Sequence, residues 1–154
     1  MIVSDSTTLI ILFDLKRTEL LSNLFDKVTV PEAVYRELTA KTSVDVPNFM
    51  EIKPVAQRSE LDTLMRLLDR GESEAILLAM ELKRPLIIDE KKGRKIARQK
   101  GVEILGLLGV LYLNVKKGFL TIEEAREFLD AARNHGYRIA ERLIDEMFER
   151  LESK

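Results

Sequence analysis

GESEAILLAMELKRPLIIDE, running from Gly71 to Glu90, reads as a helix, a tight connection and a buried strand. Ala75, Ile76, Leu77, Leu78, Ala79, Met80 and Leu82 leave the helix almost no polar face, which predicts packing on several sides. Pro85 closes it, and Leu86-Ile87-Ile88 is a short apolar run of the kind that sits in a parallel sheet covered on both faces. The strand ends in Asp89, and Glu74 stands near the start of the helix. A helix that feeds a parallel strand begins at the edge where that strand will finish. It rises about 18 Å over roughly 12 residues, and the loop and strand cover a similar length on the way back. Glu74 and Asp89 are therefore expected near each other at the carboxyl edge, where open α/β folds put their ligands.

Upstream of this stretch, Met1 to Ser4 reads as a first strand ending in Asp5, followed by Ser6 and an apolar helical run from Leu9 to Phe13. Asp5 also suits a helix N-cap, a role that leaves one carboxylate oxygen free. A short helix over Thr18 to Phe25 and a strand over Lys27 to Val30 follow, with Pro31 as the first residue of a helix carrying Glu37. Residues 41 to 57 are the most irregular part, with a short strand near Glu51 to Lys53, and Ser59 to Asp69 is an amphipathic helix. Downstream come a basic run from Lys91 to Lys100, a strand from Val102 to Leu105 and a helix from Leu107 to Val115. Lys116-Lys117-Gly118 ends that helix with cations and a glycine. Thr121 and Glu124 form a capping-box start for a helix to Asn134, and Tyr137 to Leu151 forms the last. This alternation argues for α/β architecture, a parallel sheet wrapped by helices in one domain over 1–154.

Composition narrows the chemistry. The chain has no cysteine, which removes thiol nucleophiles, disulfides and zinc fingers. Its 25 basic and 26 acidic residues leave a net charge of −1, so nucleic acid would have to be drawn by a local patch. The single histidine, His135, lies in an Asn-His-Gly turn and reads as a solvated loop residue. No basic-then-apolar leader and no apolar run of membrane length is present, so a soluble cytoplasmic protein is expected.

Asp5, Asp89 and Glu74, gathered at one edge, would repel and partly protonate unless a cation neutralised them. Oxygen-only ligands favour magnesium or manganese over zinc. Such ions, typically in pairs about 3.5–4 Å apart, support phosphodiester cleavage. Lys91, Lys92, Arg94, Lys95 and Arg98 follow Asp89 directly, on a helix that starts at the same edge and could hold a polyanion. Taken alone, that run is also a common solvated helix face.

Asp5-Ser6 after the first strand, Glu37 in Val-Tyr-Arg-Glu-Leu, Glu74 in Gly-Glu-Ser-Glu-Ala and Asp89 in Ile-Ile-Asp together resemble the PIN-domain family from Met1 to about Val115. More narrowly, they resemble a small prokaryotic subgroup whose members are mostly uncharacterised. The resemblance implies a three-layer fold with a parallel sheet of four or five strands. It also implies a metal-dependent endoribonuclease acting on single-stranded RNA, often the toxin of a toxin-antitoxin pair and frequently a dimer. By that likeness Asp5, Glu37, Glu74 and Asp89 are metal ligands and positioners of the attacking water, and Ser6 holds the first aspartate. Glu72 is the alternative ligand on the same helix, and Glu90 a supporting group. The competing reading is a PIN-like module that binds protein or RNA without cutting. Residues 121–154 form a helical extension expected to cover the core or, failing that, a dimer contact.

Overall fold

Strands β1 (Ile2–Ser4), β2 (Val28–Pro31), β3 (Met50–Lys53), β4 (Leu86–Ile87) and β5 (Ile104–Leu105) form one parallel sheet in the order β3-β2-β1-β4-β5. They are described by a computed structural model covering residues 1–43 and 45–153. Ile2 pairs with Val28, Val3 with Leu86, and Leu86 with Ile104. The chain winds outward from β1 through β2 to β3, then returns to lay β4 on the other side of β1. That reversal opens a crevice at the carboxyl ends of β1 and β4.

The helices are α1 (Ser6–Asp14), α2 (Glu19–Ser22), α3 (Glu32–Lys41), α4 (Arg58–Leu64), α5 (Arg70–Leu82), α6 (Lys91–Gln99), α7 (Leu107–Lys116), α8 (Ile122–Asn134) and α9 (Glu141–Glu152). Helix α5 is enclosed as its composition requires: Ala75, Ile76, Leu77, Leu78 and Ala79 are each at most 1% exposed. Truncating Ile76 to alanine there would cost about 2–5 kcal/mol. Strand residues Val3, Val28, Val30, Leu86 and Ile87 are likewise fully buried, as expected of a sheet covered on both faces. Among the described residues no helix is long and apolar enough to cross a membrane.

Several boundaries differ from the sequence reading, among them the helix expected over Ser59 to Asp69, which ends at Leu64. Pro31 ends β2 in extended conformation and precedes the helix, instead of being its first residue. Helix α5 stops at Lys83, whose left-handed φ of 55° caps it before Pro85 is reached. The last helix begins at Glu141, leaving Tyr137 to Ala140 as a link outside any helix.

The C-terminal helices pack inward. Thr121 and Glu124 form the expected capping box, and Ile144, Met147 and Phe148 bury one face of α9, which contacts α7. Buried Asn114 of α7 donates to the carbonyls of Leu20 (2.9 Å) and Val110 (2.8 Å) and accepts from Asn23 (3.1 Å). This side chain therefore ties α7 to the segment around α2 without leaving its own amide idle.

Candidate functional site

A cleft of about 460 Å³ opens at the carboxyl ends of β1 and β4, lined by acids from three helices and two strand ends. Asp5, Glu37, Asp69, Glu72, Asp89 and Glu90 all face it. The strand ends place Asp5 and Asp89 at this cleft, and α3 brings Glu37 to it.

Asp5 holds the N-cap position of α1 with extended backbone, yet its side chain makes no capping hydrogen bond. Its Oδ1 is buried and finds no partner among the described residues. Burial raises its pKa from 3.8 to about 7; the Ser6 backbone amide pulls the other way, and Glu37, Asp69 and Asp89 push it further up.

Asp89 is held from three directions. The Thr8 hydroxyl donates to Oδ2, while the Leu107 N–H (3.1 Å) and the Tyr137 hydroxyl (3.1 Å) donate to Oδ1. Leu107 is the first residue of α7, so the carboxylate satisfies an orphan amide and faces the positive end of that helix. This approach needs Gly106, where a Cβ would lie 2.9 Å from Asp89 Oδ1 and 2.6 Å from Arg94 Nη1. The Tyr137 phenol is pushed above its ordinary pKa by burial and by Asp89, so it remains a proton donor.

Glu37 accepts from Ser6 Oγ at 3.0 Å and has Lys41 Nζ 3.8 Å away. The Ser6 hydroxyl therefore goes to Glu37, and only the Ser6 backbone amide acts on Asp5. The Glu37 carboxylate lies over Gly71, where an added Cβ would come within 2.8 Å of Oε1.

The fourth acid is the main correction. Glu74 is buried on the other side of α5, outside the cleft lining. Its Oε1 accepts the Ala33 N–H at 3.1 Å and its Oε2 pairs with Arg70 Nε at 2.8 Å. Pro31 and its neighbours offer α3 no side-chain cap, so Glu74 supplies one from across the helix contact. Glu72 lines the cleft in its place, two positions earlier and so about 200° around the helix. Its pKa rises from 4.5 to about 8, first through burial and then through Asp69, Asp5 and Glu90. Asp69 caps α5 by accepting the Glu72 N–H at 2.8 Å.

Glu90 caps α6, accepting the Lys92 N–H at 3.2 Å, and its exposed carboxylate sits on the cleft rim. The basic run divides. Lys91, Lys92, Lys95 and Arg98 are exposed on α6, and Arg94 is half-buried with Nη1 donating to the Ile88 carbonyl at 3.1 Å. Among the described residues none of the five lines the cleft; its cations are Lys41 and Arg138. The turn carrying His135, Gly136, Tyr137 and Arg138 forms a wall the sequence reading did not assign to the site. Exposed His135 is the turn residue expected, with Nδ1 3.2 Å from the Ala131 carbonyl.

Among the described residues no three of these acids converge tightly enough to hold an ion as they stand. The donor chemistry nonetheless fits a hard divalent cation: every acid in the cleft offers oxygen, Asp5 Oδ1 has no partner among the described residues, and burial with neighbouring carboxyls raises the pKa of Asp5 and Glu72. A family model, DUF3368, described as a PIN domain, matches residues 1–153. No curated protein matches the chain.

Proposed function

Since the chain belongs to the PIN-domain family, whose members are generally nucleases and typically use divalent metals, we propose that it is a metal-dependent endoribonuclease cleaving single-stranded RNA at the carboxyl-edge cleft. The observation that carries this reading is Asp5 Oδ1, buried beside other carboxyls with no donor among the described residues. Asp5, Glu37 and Asp89 would hold magnesium or manganese, with Glu72 in place of Glu74 as the fourth acid. A divalent ion held there would supply an activated water and stabilise the leaving oxygen.

The chain's own residues do the positioning. Ser6 orients Glu37, Thr8 and the α7 amide orient Asp89, and Asp69 fixes the first turn of α5 that carries Glu72. Lys41 and Arg138 stand at the cleft to meet a phosphate, while Lys91, Lys92, Lys95 and Arg98 serve the flanking strand of RNA. A cytoplasmic toxin role, an antitoxin partner and a homodimer belong to the same proposal.

Purified protein with manganese should cut single-stranded RNA, and Asp5→Asn should reduce cutting by about a hundredfold or more. Equal cutting by the variant would overturn the assignment. A second reading, an RNA- or protein-binding module without catalysis, draws on the acids' failure to converge among the described residues. Calorimetry separates the two: tight manganese binding lost in Asp5→Asn favours the nuclease, and no binding near neutral pH favours the module.

A further inference from the structure

We propose that Tyr137 is a positioning residue of the acidic cleft: from the C-terminal hairpin, its hydroxyl fixes the plane of Asp89 and presents the remaining acceptor site of Oδ2 to the cleft. This rests on the nuclease reading of the same acids. Tyr137 lies beyond the stretch whose sequence suggested the site, in the link between α8 and α9.

The hydroxyl is delivered by a fixed turn. Gly136 takes a φ of +92°, a conformation open to glycine, and the Tyr137 N–H returns to the Ala132 carbonyl at 3.0 Å. Arg133 and Glu141, either side of the link, pair at 2.7 Å. The Tyr137 side chain is 6% exposed, so the ring has little freedom to withdraw.

A carboxylate has about four acceptor sites. Among the described residues, Leu107 and Tyr137 fill those of Asp89 Oδ1 and Thr8 takes one on Oδ2, leaving a single site. Without the phenol, Asp89 keeps one donor on each oxygen and its carboxylate plane is free to rock. Partners of this kind commonly change metal affinity by about 10–100-fold when removed.

The test is manganese calorimetry on wild type, Tyr137→Phe and Tyr137→Leu, with metal-free melting curves for each. Tyr137→Phe retains the ring, so it should fold with a melting temperature within about 3 °C of wild type and bind manganese about tenfold more weakly. Tyr137→Leu should melt lower still but lose no more affinity than Tyr137→Phe. If Tyr137→Phe binds like wild type, or affinity falls only in step with melting temperature, the ring matters for packing alone and the proposal is overturned. If wild type itself binds no manganese, the nuclease reading fails and takes this inference with it. Binding by wild type that Tyr137→Phe equals removes the role of Tyr137 and leaves the nuclease standing.

Discussion

Asp5 and Glu74 are equally buried, at 4% and 3% exposure, and their surroundings are opposite. At the contact of α3 with α5, Glu74 has an amide on one oxygen and a guanidinium on the other. In the cleft, Asp5 has an oxygen with no donor among the described residues, and like charges around it. Burial alone therefore does not separate a paired scaffold carboxylate from one left without a partner; the inventory of partners does. Glu74 has a partner on each oxygen, whereas Asp5 keeps one oxygen unpaired among the described residues and a pKa raised by burial and its acidic neighbours.

The sharpest way to break that comparison is to neutralise one acid in each region. Glu72→Gln should lower RNA cleavage by about a hundredfold with unchanged or raised stability. Glu74→Ala should spare the cleft chemistry and lower stability by about 2 kcal/mol, since Ala33 loses its acceptor and half-exposed Arg70 its partner. In a chain of this size that is roughly 5 °C of melting temperature. A loss of activity in Glu74→Ala beyond its loss of folded protein would erase the distinction.

A smaller effect sharpens it through pH. Folded Asp5 and Glu72 keep their protons up to about 7 and about 8, whereas the unfolded chain releases them near 3.8 and 4.5. The folded state therefore binds more protons between those limits, and stability falls as pH rises through the window. Metal-free melting temperature should decline from about pH 5 to pH 8, less steeply in Asp5→Asn. Manganese should flatten the decline by favouring the ionised forms. A melting temperature that rose with pH across this range would contradict the assignment.

The smallest expected effect concerns Gly71. An alanine there meets the far end of the flexible Glu37 side chain, so the carboxylate can move aside at little cost to the fold. Gly71→Ala should leave the melting temperature unchanged or slightly higher while reducing cleavage about tenfold through misplacement of Glu37. A marked loss of stability would show that backbone, not Glu37, resists the methyl group.

Much of this was legible in the sequence because apolar runs and strand-end acids are local signals. Asp5 and Asp89 followed from where their strands stop. Glu37 has no such mark and entered only through the family resemblance. The choice between Glu72 and Glu74 was hidden for a physical reason: α5 is apolar on nearly every side, so its pattern carries no phase to say which acid faces the cleft. Asp69, capping the helix, fixes that phase in the fold. Tyr137 was illegible because its contact with Asp89 spans 48 residues and leaves no periodicity behind.

The same span has a consequence for biosynthesis. Asp89 gathers donors from Thr8, Leu107 and Tyr137, which leave the ribosome far apart in time. A chain ending before Tyr137 contains the sequence of all five strands, yet its acidic cleft lacks a wall and Asp89 lacks its last donor. Completion of the cleft thus waits until synthesis of the chain is nearly finished.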